Sequence, residues 1–355
     1  MEFGIAVATA ADSWKVVKRA EELGFSHAWF YDTQMLCADC FVAMGAAAVN
    51  TSRIRLGTGV LIPSNRIAPV TANGFASLNA LAPGRIDFGV GTGFTGRRTM
   101  GLGAMKQADM ADYIRVVMAL LAGETPEFQV EGQRKKITFL NPELALINLH
   151  DPVRLHISAY GPRGRDLTAR LGAGWLNFVG DIEGGVAAMA AMRGRWTTAG
   201  KNPADLSAVA FALGCVLEPG EAADGPRGMA QAGPRAAVLL HRAADEALSG
   251  LPNTSSVPAE VADAVAGYVA MARAFEPEDA RYLANHRGHL MVVKEIERRF
   301  VTADMIRRTT FTGTRQDLLD RIAALRDGGY TQFTVQLTPG QEGAIEDWAR
   351  LKAAF

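Results

Sequence analysis

The sequence predicts an α/β chain closed into a (β/α)₈ barrel, and three observations carry that expectation. Eight short apolar runs punctuate the chain. Runs and amphipathic helical patterns alternate with short links, the signature of parallel strands joined by right-handed crossovers. After an interruption the same rhythm resumes, and eight strands in alternation favour a closed cylinder over an open doubly wound sheet.

Phe3–Thr9 reads as the first strand. Asp12 is placed to cap the next helix, where Val16, Val17, Ala20 and Leu23 recur at helical spacing until Gly24. His27–Tyr31 is the second strand and leads into Asp32; a helix follows from about Cys40 to Val49, with Asp39 a candidate N-cap. Ile54–Leu61 is the third strand, and Ala72, Phe75, Ala76 and Leu81 mark the helix that Pro83-Gly84 closes. Ile86–Gly91 is the fourth strand, followed by a helix through Tyr113, Val116, Val117, Leu120 and Leu121. Phe128–Leu140, with Glu131-Gly132-Gln133 at its tip, reads as a hairpin within a first insertion at about 126–150, and Arg134-Lys135-Lys136 as its solvated face.

Val153–Ser158, Trp175–Val179 and Ala208–Leu217 supply strands five to seven. Tyr330–Leu337 is the eighth, with Phe333, Val335 and Leu337 on one face. Its preceding helix opens on the capping box Thr314-Arg315-Gln316-Asp317 and ends at Gly328-Gly329. Residues 218–312 lack clear strands; helical patterns around Val238–Leu240 and Val261–Phe275 suggest a helical insertion packed near the barrel mouth. A separate small domain is the alternative to one TIM-barrel domain over 1–355.

Composition narrows the function classes. Basic and acidic residues balance at 37 each, so the chain has no electrostatic footprint for nucleic acid or an anionic membrane. No apolar run approaches the roughly 20 residues of a membrane helix. The start, Met1-Glu2-Phe3-Gly4, reads as a strand and not as a leader. Three cysteines, Cys37, Cys40 and Cys215, do not make a disulfide framework. The expectation is a cytoplasmic globular protein acting on a small molecule.

In such a barrel the site is built at the carboxyl ends of the strands. Two segments there suit a phosphate, because glycines at a strand-to-helix junction let backbone N–H groups approach an anion. One is Gly161-Pro162-Arg163-Gly164, after Ser158 and Tyr160; the other is Gly89–Arg98, containing Thr92, whose Arg97 and Arg98 could clamp the same group. The glycines do not have dinucleotide-fingerprint spacing. Gly-rich turns also serve plain strand-to-helix links, and Tyr160 could equally cap its strand. His156, inside an apolar strand, is a core histidine by preference. His241, His286 and His289 show no metal-ligand spacing, so no metal is assigned. Cys37-Ala38-Asp39-Cys40 has a CxxC spacing but reads better as a helix start, with Cys37 able to line a pocket.

At this point a family resemblance becomes specific. Ala20–Asp32, Arg53–Pro63 and Leu78–Gly93 resemble, in order, signatures of the bacterial luciferase-like monooxygenases, and His156–Gly174 and Gly313–Leu337 are similar to later ones. The resemblance covers nearly the whole chain except the hairpin and residues 218–312. It implies a flavin, FMN or the deazaflavin F420, in the barrel mouth of a homodimer. It implies a third-strand bulge, with a non-prolyl cis peptide, at Gly59-Val60 behind the ring. Asp32 and Thr33 would lie beside the ring, and Arg98-Thr99-Met100-Gly101 resembles the stretch whose arginine holds the FMN phosphate. The sugar-phosphate dehydrogenases of the F420 branch carry a histidine and a glutamate where Thr33 and Phe94 stand here. That departure disfavours sugar-phosphate oxidation. The reading that follows is a monooxygenase using O₂ and reduced FMN from a separate reductase on a small organic substrate, with Asp32, Thr33 and Cys37 nearest the chemistry. The alternatives are F420-dependent hydride transfer and a non-catalytic flavin-binding barrel.

Overall fold

Eight parallel strands form the wall of a closed barrel in this computed structural model, which describes residues 1–251 and 257–355. They are β1 (Glu2–Val7), β2 (His27–Phe30), β3 (Arg55–Thr58), β4 (Ile86–Val90), β5 (Arg154–Ser158), β6 (Gly174–Phe178), β7 (Ala208–Ala212) and β8 (Gln332–Leu337). Closure is made by β1 on β8, in register from Glu2 beside Gln332 to Val7 beside Leu337. The main core lies between strands and helices, where Phe75, Phe88, Trp175 and Trp348 are buried. A small cluster of Ala6, Trp29, Leu176, Val209 and Phe211 fills the lumen. Gly57 makes room for it: a Cβ there would stand 2.6 Å from the Trp29 ring.

Most elements fall where the apolar pattern puts them, and the differences have local causes. Asp39 does cap Cys40–Asn50, accepting from the N–H groups of Phe41 and Val42. Asp12 does not cap its helix; Trp14–Glu22 starts after Ser13, and Asp12 instead pairs with exposed Lys15. Between β4 and the helix Gln107–Leu121 the chain forms an unforeseen short helix, Phe94–Arg98, entered through Gly93 at φ +77°. The hairpin pairs Glu127–Val130 with Gln133–Lys136 around a turn with Glu131 and Gly132 at positive φ, and Arg134, Lys135 and Lys136 are exposed. The seventh strand stops at Ala212 instead of Leu217. At Leu213, whose carbonyl accepts from the Phe311 N–H, the chain leaves the barrel, and Val216–Leu217 pairs with Gly313–Thr314 outside it. The capping box at Thr314 and Asp317 forms as expected, and Ile345–Lys352 completes the eighth unit by burying Trp348.

The stretch between β7 and that capping box is helical: Pro226–Gln231, Gly233–Ser249, Ala262–Ala272, Arg281–His286 and Ala303–Thr309. These helices carry their own buried cluster, including Leu240, Tyr268 and Met305. Gly233–Ser249 turns one face into that cluster and presents Arg235, Val238 and Arg242 to the carboxyl mouth of the barrel. Arg235 and Arg242 are seven residues apart, two helical turns, so both point the same way. No described helix is long and apolar enough to cross a membrane.

Candidate active site

A cavity of about 620 Å³ occupies the carboxyl mouth, within the range of small-molecule and cofactor sites. Its floor is the lumen plug and the kinked end of β3. The Gly59–Val60 bond is cis, and both residues face the cavity. A Cβ on Gly59 would stand 2.9 Å from Trp29 Cβ, so this glycine also serves the plug beneath. One wall is Thr33 and Cys37, from the loop after β2, with Thr92–Gly96 after β4. Another is Ser158, Tyr160 and Gly161, after β5. Val60, Leu176, Phe178 and Phe211 make the floor apolar, while Arg235, Arg242, His289 and Gln336 make the roof polar.

The helix Pro162–Leu171 begins on the Gly161 side of the cavity. Gly161 is its N-cap at φ −90°, and a Cβ added there would meet nothing within 4 Å. The first N–H groups of a ten-residue helix are therefore approachable by an anion. Gly164 serves packing instead, since a Cβ on it would lie 2.9 Å from Ala159 Cβ. Pro162 and Arg163 lie outside the cavity, and Arg163 is exposed.

Three expected site residues are used otherwise. Asp32 is buried and directed at the β3 loop: its carboxylate accepts from the Ile62 N–H at 3.0 Å, Asn65 Nδ2 at 3.1 Å and Arg66 at 3.0 Å. It braces two loops and does not line the cavity, which corrects its reading as a group beside the ring. Arg98 is corrected likewise. Its guanidinium is buried, paired with Asp245 of the insertion and stacked 3.8 Å from the Phe94 ring centroid, away from the cavity lining. Arg97 donates to the Gly103 carbonyl at 2.6 Å and is also outside the lining. Thr33, Cys37, Gly59, Val60, Thr92, Ser158, Tyr160 and Gly161 do come together. Burial pushes the Cys37 thiol up to about 11, so it is neutral near pH 7 and no nucleophile. Cys37 and Cys40 are both free thiols.

The roof is what the sequence reading missed. Burial lowers Arg235 to about 10, and it makes no ion pair among the described residues. Its guanidinium lies 4.9 Å above the Phe178 ring, and that of Arg242 4.7 Å above Phe94. His289 is buried at the roof, and the three histidines judged unconnected in sequence converge there: ring nitrogens of His241, His286 and His289 all lie within 4.8 Å of one another. The only signal was two arginines embedded at helical spacing in the apolar run 233–249.

The fold and its mouth define a (β/α)₈ barrel with a cofactor-sized cavity at the carboxyl ends of its strands, under an inserted helical roof. The chain belongs to the luciferase-like monooxygenase family, whose profile matches residues 4–332. It is 36% identical over 141 residues to an F420-dependent glucose-6-phosphate dehydrogenase of Beutenbergia cavernae, a match spanning 38% of this chain and 40% of that protein. Among solved structures it is similar to the F420-dependent tetrahydromethanopterin reductase of Methanopyrus kandleri, with TM-score 0.67, 20% identity and 98% and 97% of the two chains covered. It is also similar to the FMN-bound oxygenating constituent of 3,6-diketocamphane monooxygenase from Pseudomonas putida, with TM-score 0.62, 12% identity and 99% and 96% covered. At these identities the two structures show the shared fold.

Proposed function

We infer that the protein is an F420-dependent oxidoreductase that moves a hydride between the deazaflavin and a small polar substrate carrying an anionic group. The observation that carries this reading is the roof of the cavity. Arg235, Arg242, His289 and Gln336 face the cavity there, groups that suit a polar substrate with an anionic group better than an apolar one. The residue that favoured FMN, Arg98, is engaged with Asp245. The F420-dependent relative from Beutenbergia cavernae supports the same choice of cofactor.

The residues present fit such a cofactor. The open approach at Gly161 suits its phosphate, held by the N–H groups opening the helix Pro162–Leu171, beside Ser158 and Tyr160. Gly59 and Val60 offer a flat backbone wall to the ring. When bound, the deazaflavin supplies a hydride donor or acceptor. This chain's contribution is then to orient the substrate: Arg235 and Arg242 pair with its anionic group, and the roof excludes water.

Fluorescence titration of the purified protein with F420 and with FMN tests the reading. Saturable F420 binding at a stoichiometry of one per chain is the expected result. Binding of FMN alone would reject the F420 assignment and restore the FMN reading, and binding of neither would leave a barrel without a flavin role.

A further inference from the structure

Beneath the roof lies a chain of buried side chains that the cofactor reading does not use. Glu297 is fully buried and accepts from Tyr268 Oη at 3.1 Å and the Lys294 backbone N–H at 3.0 Å, with Lys294 Nζ at 2.7 Å. Asp245 is buried with Arg98 and accepts from Asn285 Nδ2 at 2.9 Å. Carboxylates so surrounded by donors are ionised. His241 Nε2, 2.6 Å from Glu297, and His286 Nε2, 2.9 Å from Asp245, must therefore carry protons and donate them. Both Nδ1 atoms are then lone-pair acceptors. Both face His289 Nδ1, at 2.7 Å for His241 and 3.4 Å for His286.

With one proton each on His241, which burial keeps neutral, and on His286, one arrangement satisfies these contacts. His289 holds its proton on Nδ1, directed at the other two rings, and keeps the lone pair on Nε2. That nitrogen stands 3.5 Å from Oγ1 of Thr95, which lines the cavity together with His289. Burial, the two neighbouring histidines, Arg242 and Lys294 hold His289 well below the usual histidine value, so the resting ring is neutral. The segment is fixed in place from the barrel. Leu290 has φ +63°, a conformation a branched side chain rarely adopts. Its carbonyl accepts from Gln336 Nε2 at 2.7 Å, and Gln336 in turn accepts from Tyr31 Oη at 2.7 Å.

We propose that His289 is the acid–base residue of this cavity, with His241–Glu297 and His286–Asp245 as positioning residues that set its tautomer. The inference rests on the hydride-transfer reading and names the substrate class as a hydroxyl or carbonyl compound. In oxidation, a bound oxidised deazaflavin would supply the hydride acceptor as the carbinol C–H bond breaks. The O–H bond breaks with it, its electron pair forms the C=O bond, and the proton joins His289 Nε2. Reduction runs the same path backwards. The resulting imidazolium is stabilised through Nδ1–H by two acceptors backed by carboxylates, the arrangement that makes histidine an effective base.

A metal ion is the rival use of three convergent histidines. Two ligands of one tetrahedral ion, each at about 2.0–2.1 Å, stand roughly 3.3 Å apart. The 2.7 Å separation of His241 and His289 is that of a hydrogen bond. The cationic neighbours Arg98, Arg242 and Lys294 also disfavour a cation.

Two measurements test the assignment. Histidine ¹⁵N shifts of the full cofactor-free chain at neutral pH report each tautomer, with His289→Gln assigning its resonance. Contacts to Thr95 assign it if that variant does not fold. Protonated Nδ1 on His289 and protonated Nε2 on His241 and His286 are expected; a protonated Nε2 on His289, or metal bound at one per chain, overturns the proposal. In the F420-loaded enzyme, turnover of a panel of small secondary alcohols and hydroxy acids should fall about 100-fold or more in His289→Gln. F420 affinity should be unchanged, and imidazole should restore part of the activity of His289→Ala. Undiminished turnover in both variants would also overturn it. Failure of the wild type to bind F420 counts against the cofactor reading, and the tautomer then decides the histidine assignment alone.

Discussion

The two ends of the barrel handle buried charge in opposite ways. At the amino end a cavity of about 560 Å³ is lined by His27, Arg154, His156 and Gln332. Beside it Asp87 of β4 is fully buried and receives the Arg55 fork, Nε at 2.9 Å and Nη2 at 2.6 Å. His27 and His156 approach the same carboxylate at 3.8 and 3.7 Å. Burial raises Asp87, yet His156 and Arg55 outweigh it and hold its carboxyl at about 2. One carboxylate is answered by one guanidinium. At the carboxyl end Arg235 is half-buried in the roof of the cavity and has no ion pair among the described residues. A buried charge with its own counter-ion is architecture; one left open in a cavity marks a ligand.

The sharpest way to break this contrast is Arg55→Ala. It strands a carboxylate that folding has removed from water, and breaking a buried pair from one side costs about 3–5 kcal/mol. Denaturant unfolding should register that loss. A loss below about 1 kcal/mol would mean water reaches Asp87.

A pH titration probes the same end more gently. Burial lowers His27 to about 4, while an unfolded histidine titrates near 6.5. The folded-state value is the depressed one, so this contribution is complete above about pH 6.5 and declines as pH falls towards 4. Between pH 7 and 5 the loss amounts to about 2 kcal/mol. His27→Gln should flatten that part of the stability profile, and an unaltered slope would show that His27 is not its source.

The two ends were also unequally legible in the sequence. The barrel was readable because β strands and helices alternate with apolar periods that local chemistry enforces, and short links fix their direction. Thr33, Gly59, Ser158 and Gly161 were readable because strand carboxyl ends converge in any such barrel. Arg98 was misassigned because its partner, Asp245, lies 147 residues away. No local pattern marks that contact. Asp32 was misassigned for the same reason, since Asn65 and Arg66 claim its oxygens from the next loop. His241 stands 48 residues before His289, and only the packing of Gly233–Ser249 against 281–291 brings them together. Insertions contribute to a site by tertiary placement, which periodicity does not encode.

Arg235→Met should reverse the sign seen at Arg55. Removing a half-buried cation that no carboxylate among the described residues answers, while keeping an apolar stem, should leave the ligand-free protein as stable or about 1 kcal/mol more so. A loss of more than 1 kcal/mol would place Arg235 among the structural charges and erase the distinction between the two ends.

The smallest effect on stability belongs to Gly161→Ala, and it isolates the phosphate approach. Gly161 sits at φ −90°, which alanine adopts freely, and its new methyl group would touch no atom within 4 Å. Stability should stay within about 0.5 kcal/mol of the parent, as for a surface change. That methyl group would nonetheless stand where an anion meets the first N–H groups of the helix Pro162–Leu171. F420 affinity should fall about tenfold, or about 1.4 kcal/mol, while the deazaflavin nucleoside that lacks the phosphate binds both proteins alike. Equal F420 affinity in parent and variant would move the phosphate away from this helix, to the only other cations facing the cavity among the described residues, Arg235 and Arg242. The arginines of the roof would then serve the cofactor and not the substrate.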